Sequence, residues 1–277
     1  MRRRLDAELV RRGLVESRTL ARQLVEDGKV LVGGSVALKP ARMVDAGEPV
    51  ILAGEKPRFV SRGGEKLAGA LDAFGLDPSG LVVLDAGAST GGFTDCLLQS
   101  GAASVTALDV GHGQLHESVR GDARVQVVER TNLRHVAPED YGLFDAVVAD
   151  LSFISLRTVL GNLVGCCRDG GFLVLLVKPQ FEVGREDASK GRGVVTDPQL
   201  WRSVLGQVAE AARGCGAGVQ GCVPSPITGG DGNVEFLLHL VRGASSTGGP
   251  ALLDAAVDAA CAAHRPAEAA AAVEVDR

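Results

Sequence analysis

The chain has 277 residues, 45% of them hydrophobic, and a formal net charge of −5, enough for one full α/β domain plus a small companion. No apolar run reaches the ~18 residues that a membrane span requires. The start, MRRRLDAELV, is basic but lacks the apolar segment of a secretory signal, so a cytoplasmic protein without a membrane partner is expected.

The charge is unevenly spread. Residues 1–66 carry 14 Lys/Arg against 9 Asp/Glu, and the remainder carries 15 against 25. A basic head on an acidic body suggests an anionic partner for the head, although a solvated helix surface would read the same way. The six cysteines include no C-x-x-C pair and read as small buried apolar residues, so no metal and no disulfide are expected.

In chain order, residues 4–12 read as a helix and 17–27 as a second, with Ser17 as N-cap and Gly28 just past its end. Short strands fit 29–32, 35–38 and 49–52, with Gly33-Gly34 as a tight hairpin. The expected division is a head at 1–56, a linker at 57–62, a main domain at 63–242, and a hinge with an Ala-rich helix and tail at 243–277.

From residue 63 strands and helices alternate. Strands fit 81–85, 104–109, 125–128, 144–149 and 171–177; helices fit 64–74, 92–100, 155–166 and 197–213. That rhythm predicts a doubly wound, mostly parallel sheet of the Rossmann type with helices on both faces. Two further strands, near 217–222 and 234–241, follow one another through a loop and suggest an antiparallel closing hairpin.

The strand LVVLDAG runs into a glycine-rich turn, Gly87-Ala88-Ser89-Thr90-Gly91-Gly92. A dinucleotide fingerprint wants glycine where Ser89 stands, which weakens an NAD reading, and no G-K-[ST] follows, which excludes a P-loop. An uncharged nucleoside cofactor such as S-adenosylmethionine needs close backbone approach without a phosphate cradle. Asp109, ending the second strand, is placed to accept both ribose hydroxyls, and Thr131-Asn132 after the third are candidates for the adenine edge. Asp85, Gly87, Ser89, Thr90, Gly91, Gly92, Phe93, Asp109 and Asn132 form the candidate cofactor set.

Four residues in separate blocks carry the candidate chemistry: Lys66 in SRGGEKL, Asp150 in VVADLSF, Lys178 in LLVKPQFE and Glu235 in GNVEFLL. Ligands of open α/β sheets bind outside the carboxyl ends of strands, which is where Asp150 and Lys178 fall. Lys178 follows an apolar run and precedes Pro179, expected to stop a helix behind it. Burial and a neighbouring Lys66 would lower its pKa from the ordinary ~10.4, whereas Asp150 would oppose this. A neutral lysine there can serve as general base.

These blocks resemble the TlyA family, ribosomal-RNA 2′-O-methyltransferases historically labelled haemolysins. RLDAELVRRGL and SRTLARQLVEDGKVLV resemble an S4 RNA-binding module; LDAGASTGGFTDCLL, VVADLSFISL, LVKPQFEVG and GNVEFLLHL resemble the family's FtsJ-like methyltransferase blocks. The resemblance implies an S4 head and a Rossmann-type methyltransferase domain. It also implies a Lys66–Asp150–Lys178–Glu235 tetrad, S-adenosylmethionine as cofactor, and cytidine 2′-O-methylation of rRNA in ribosomal subunits. In that reading Arg4, Arg11, Arg12, Arg18 and Arg22 contact RNA phosphates. One departure is the family's Arg-x-Trp-Val inter-domain run, here Pro57-Arg58-Phe59-Val60. Other readings are a small-metabolite methyltransferase, a membrane-active haemolysin and a non-catalytic rRNA-binding factor.

Overall fold

The computed structural model describes residues 2–45, 47–53, 57–184, 193–229 and 231–264. Part of the expected Ala-rich tail, from 265 onward, lies outside the described residues. The chain divides into two compact units, Met1–Arg58 and Phe59–Arg277.

In the smaller unit, strand β1 (Arg3–Arg4) leads into helix α1 (Leu5–Arg11), followed by α2 (Arg18–Glu26), β2 (Val30–Val32), β3 (Ser35–Val36), β4 (Met43–Val44) and β5 (Val50–Leu52). Ser17 caps α2 by accepting Leu20 N–H at 3.2 Å. β2 lies between β3 and β5 in a three-stranded sheet, and β1 pairs with β4 in a separate ladder. That ladder was not expected, because two residues per strand leave no alternation to read. Leu5, Leu9, Val25 and Val30 are fully buried between the helices and the sheet.

The larger unit comprises α3 (Gly63–Phe74), β6 (Val82–Ala86), α4 (Gly92–Gln99), β7 (Ser104–Leu108), α5 (Glu117–Arg120), β8 (Val125–Val128), α6 (Pro138–Tyr141), β9 (Phe144–Ala149), α7 (Leu156–Cys166), β10 (Cys167–Val177), α8 (Pro179–Glu182), α9 (Pro198–Gly214), β11 (Ala217–Pro224), β12 (Phe236–Arg242) and α10 (Gly249–Ala263). Its seven-stranded sheet has the order β11-β12-β10-β9-β6-β7-β8. Pairs among β10, β9, β6, β7 and β8 are parallel, while β12 runs antiparallel to both β10 and β11. Two apolar layers, one on each face, make this a doubly wound sheet. The parallel strands are buried on both sides, hence their continuous Val/Leu/Ala runs.

Two local differences from the sequence reading have simple causes. Pro179 does not stop a helix but starts one: Lys178 stays extended (φ −108°, ψ 102°) and Pro179 opens α8. A proline at the first helical position lacks only an N–H that would be unpaired there anyway. Phe59 and Val60, within the expected linker, are folded into the larger unit. The Phe59 ring lies against Gly64 and leaves no room for a side chain there, and Val60 N–H donates to Asp95 Oδ2 at 2.8 Å.

Candidate active site

The glycine turn bridges the end of β6 and the start of α4. Gly87 has φ +85°, and a Cβ there would meet the Asp150 carbonyl oxygen at 2.6 Å, so the turn lies directly against the chain leaving β9. Gly91, at φ +93°, precedes α4; a side chain there would meet Leu115 Cδ1 at 2.8 Å. Ser89 adopts φ +47°, a left-handed conformation that costs a non-glycine residue energy and is retained where surrounding structure enforces it.

One cleft gathers Gly87, Ser89, Thr90, Gly92 and Phe93 from the turn with Asp150 and Lys178 from the strand ends. Ser61, Gly63 and Ser152 also line it and were not singled out from sequence; nothing in their local pattern marks them. Asp109 lies beside the turn, its two carboxylate oxygens accepting Ser89 N–H at 2.8 Å and Gly111 N–H at 2.6 Å. Each oxygen keeps a second lone pair, so the carboxylate is fixed yet able to accept hydroxyls. Asn132 is exposed and its Oδ1 accepts Arg134 N–H at 3.0 Å, which occupies it as a local cap. Asp85 is fully buried: Oδ2 accepts Thr94 Oγ1–H at 2.6 Å, and Oδ1 has no partner. Burial pushes its carboxyl up to about 7, against the Thr94 hydrogen bond, and the Asp150 and Asp109 charges add to the rise.

The candidate tetrad forms two ion pairs. Lys66, from α3, donates to Glu235 Oε2 at 2.5 Å, both side chains being buried. Lys178 Nζ lies 2.6 Å from Asp150 Oδ1 in an ion pair and donates to Ser152 Oγ at 2.9 Å. The charge beside each lysine is therefore a carboxylate. Glu235 reaches this edge because β12 is antiparallel. Val177 is paired with Phe236, so one step further the register sets Lys178 opposite Glu235.

Phe153 is 92% exposed, at φ +64°, and its ring lies 5.4 Å from that of Phe181. Lys178 Nζ is in turn 5.9 Å from the Phe181 centroid. Phe153 thus presents an exposed ring from a left-handed backbone conformation that a bulky residue rarely adopts, packed on Phe181. Its only sequence signal is its position three residues after Asp150.

In the smaller unit the candidate arginines converge on two buried carboxylates that the sequence reading passed over. Arg4, Arg18 and Arg22 all bond Asp6, and Arg11 and Arg12 bond Glu8. Arg12 also donates to the Glu48 and Asp45 carbonyls, so its guanidinium is committed within the unit. The i,i+3 and i,i+4 spacing of Glu8 to Arg11 and Arg12 was the available signal.

Residues 59–242 match the FtsJ-like methyltransferase family and residues 3–50 the S4 domain. The chain is 53% identical over 242 residues to the 16S/23S rRNA (cytidine-2′-O)-methyltransferase TlyA of Mycobacterium tuberculosis, covering 86% of this chain and 90% of that one. The chain belongs to the TlyA family. The chain is also 38% identical over 241 residues to Hemolysin A of Brachyspira hyodysenteriae, covering 86% of this chain and 99% of that one. A solved Streptococcus thermophilus protein described as a hemolysin candidate is 42% identical, with a TM-score of 0.75 over 93% of this chain and 94% of that one. Among the described residues of this TlyA-family chain, no helix is long and apolar enough to cross a membrane.

Proposed function

We propose that the protein transfers a methyl group from S-adenosylmethionine to a ribose 2′-hydroxyl of ribosomal RNA, at cytidine. The observation that carries this reading is that the Lys178–Asp150 pair and the glycine turn line one cleft. The residues present suit the cofactor: a turn without phosphate ligands, and a carboxylate, Asp109, held by two backbone amides with lone pairs to spare. Gly87, Ser89 and Gly91 would hold it from one side and Asp109 at its ribose. When bound, it supplies an electrophilic sulfonium methyl group.

The chain's own groups then have distinct tasks. Lys178, as the neutral amine, accepts the 2′-hydroxyl proton, and the ammonium formed is held by Asp150. Ser152 Oγ, hydrogen-bonded to Nζ, fixes where the amine points. Lys66 and Glu235 compensate each other, so a second buried lysine stands at the edge without adding an unbalanced charge. Phe153 offers a ring face on which an unstacked base can rest. Holding hydroxyl and acceptor in line supplies much of the rate, since effective molarities reach roughly 10⁵–10⁸ M.

The M. tuberculosis relative's name supports an rRNA cytidine as target, and the S4 match supports an RNA-gripping head. Mass-spectrometric mapping of 2′-O-methyl groups, in rRNA incubated with cofactor and with or without the protein, tests the reading. A new 2′-O-methylcytidine is the expected result, and an unchanged methylation map would refute it.

A further inference from the structure

Asp6 is the second residue of α1 and its side chain is fully buried. A buried carboxylate is costly unless paired, and here three guanidiniums pair with one. Arg4, at the end of β1, is bidentate: Nε donates to Oδ1 at 3.1 Å and an NH2 group to Oδ2 at 3.0 Å. Arg18, opening α2, donates one NH2 group to Oδ2 at 3.0 Å, and Arg22, one turn later, donates Nε at 3.3 Å. The three arginine side chains are 45%, 52% and 55% exposed, while the carboxylate is 0% exposed.

This differs from an ordinary surface ion pair. The negative charge is on the inside and the positive charges are on the outside. Three cations on one anion leave a net charge of +2 directed at solvent. Arginine has five N–H donors in a planar fork, and Arg18 and Arg22 spend only one each on Asp6. Three long side chains from three places in the chain are thereby fixed at one point. Without the carboxylate they would repel one another and spread over many rotamers.

We propose that Asp6 is a positioning residue for RNA binding, its buried carboxylate holding Arg4, Arg18 and Arg22 as one preassembled array for backbone phosphates. This rests on the rRNA reading above. Ordering the array before the ligand arrives removes an entropic cost from the binding step.

The proposal and simple electrostatics predict opposite signs. Asp6→Asn raises the net charge by one, so a charge-only account predicts tighter RNA binding. A positioning role predicts weaker binding. Glu26→Gln, at an exposed site on α2, makes the same charge change without touching the array. Affinities of the full-length proteins for 16S and 23S rRNA transcripts, measured across a salt series, decide between the two.

The expected result is about tenfold weaker binding by Asp6→Asn, equivalent to one charge-assisted hydrogen bond, with a shallower salt slope, while Glu26→Gln binds at least as tightly as wild type. S-adenosylmethionine affinity should be unchanged in both. Arg18→Lys keeps the charge but loses the fork, sits at an exposed position, and should also weaken binding; it decides the matter if Asp6→Asn does not fold. Asp6→Asn binding as tightly as Glu26→Gln, or Arg18→Lys binding like wild type, would overturn the proposal while leaving the rRNA reading in place. A wild-type protein with no affinity for either transcript would overturn both.

Discussion

Asp85→Asn isolates the energetic cost of a carboxyl under the glycine turn. The group is completely buried, with one oxygen on Thr94 and the other without a partner. Its folded-state pKa stands at about 7 against an ordinary 3.8. At 1.36 kcal/mol for each tenfold change in proton affinity, that difference is worth about 4 kcal/mol. The sign follows from linkage. Between about pH 4 and 7 the folded state holds a proton that the unfolded state has lost, so stability from this group falls as pH rises through that window and is flat above it. Asparagine cannot ionise and has no such slope. Its own unpaired amide adds a constant offset that cancels in a comparison across pH. Trp201, the single tryptophan, is buried on α9 of the same unit and reports its unfolding by fluorescence. Urea titrations from pH 4 to 8 should therefore show Asp85→Asn gaining up to about 4 kcal/mol on wild type between the two ends. Parallel stability curves for the two proteins would show that Asp85 ionises without a desolvation cost, and the reasoning would fail.

Three further outcomes concern the reaction. Lys178→Ala should abolish methyl transfer while calorimetry shows cofactor binding nearly intact, and Lys178→Arg should fail as well, since a guanidinium cannot accept the proton at neutral pH; an active Lys178→Arg enzyme would place the base elsewhere. Asp109→Ala should weaken S-adenosylmethionine binding by about 1–3 kcal/mol through lost hydroxyl bonds, and an unchanged Kd would remove Asp109 from the cofactor site. Phe153→Leu should lower kcat/KM for rRNA by the equivalent of about 1–3 kcal/mol, the worth of one stacked base, with cofactor affinity unaltered; wild-type kcat/KM would leave the exposed ring without a role.

Much of this architecture is written in periodicity. The continuous apolar runs before Asp150 and Lys178 mark buried parallel strands, and the strand-end rule then selects the two residues that share the cleft. Glu235 was harder to place, because sequence alone does not say that β12 inserts between β10 and β11. Only that strand order and its antiparallel register set Glu235 opposite Lys178. Phe153 was illegible for a different reason: a left-handed backbone at a bulky residue is imposed by tertiary structure and contradicts local preference. Asp6 was hidden by an average. Counting charges over residues 1–66 reveals an excess of cations but not that one buried anion gathers three of them. In the cofactor set, Asn132 also caps the turn that follows through its Oδ1, as a short polar side chain after a strand readily does.

The pairing of Lys66 with Glu235 also orders events during synthesis. The two residues are 169 positions apart, and domains generally fold from the N-terminal end as the chain emerges. The arginine-bearing unit, Met1–Arg58, is complete long before the last strands exist. The glycine turn and the Lys178–Asp150 edge come next. Throughout this interval Lys66 has no carboxylate partner, and the seven-stranded sheet lacks the strand that separates β10 from β11. A ribosome must deliver β12 before the set is closed, so a chain truncated ahead of Glu235 keeps the S4-matching unit but leaves Lys66 without its carboxylate and β10 without its antiparallel neighbour.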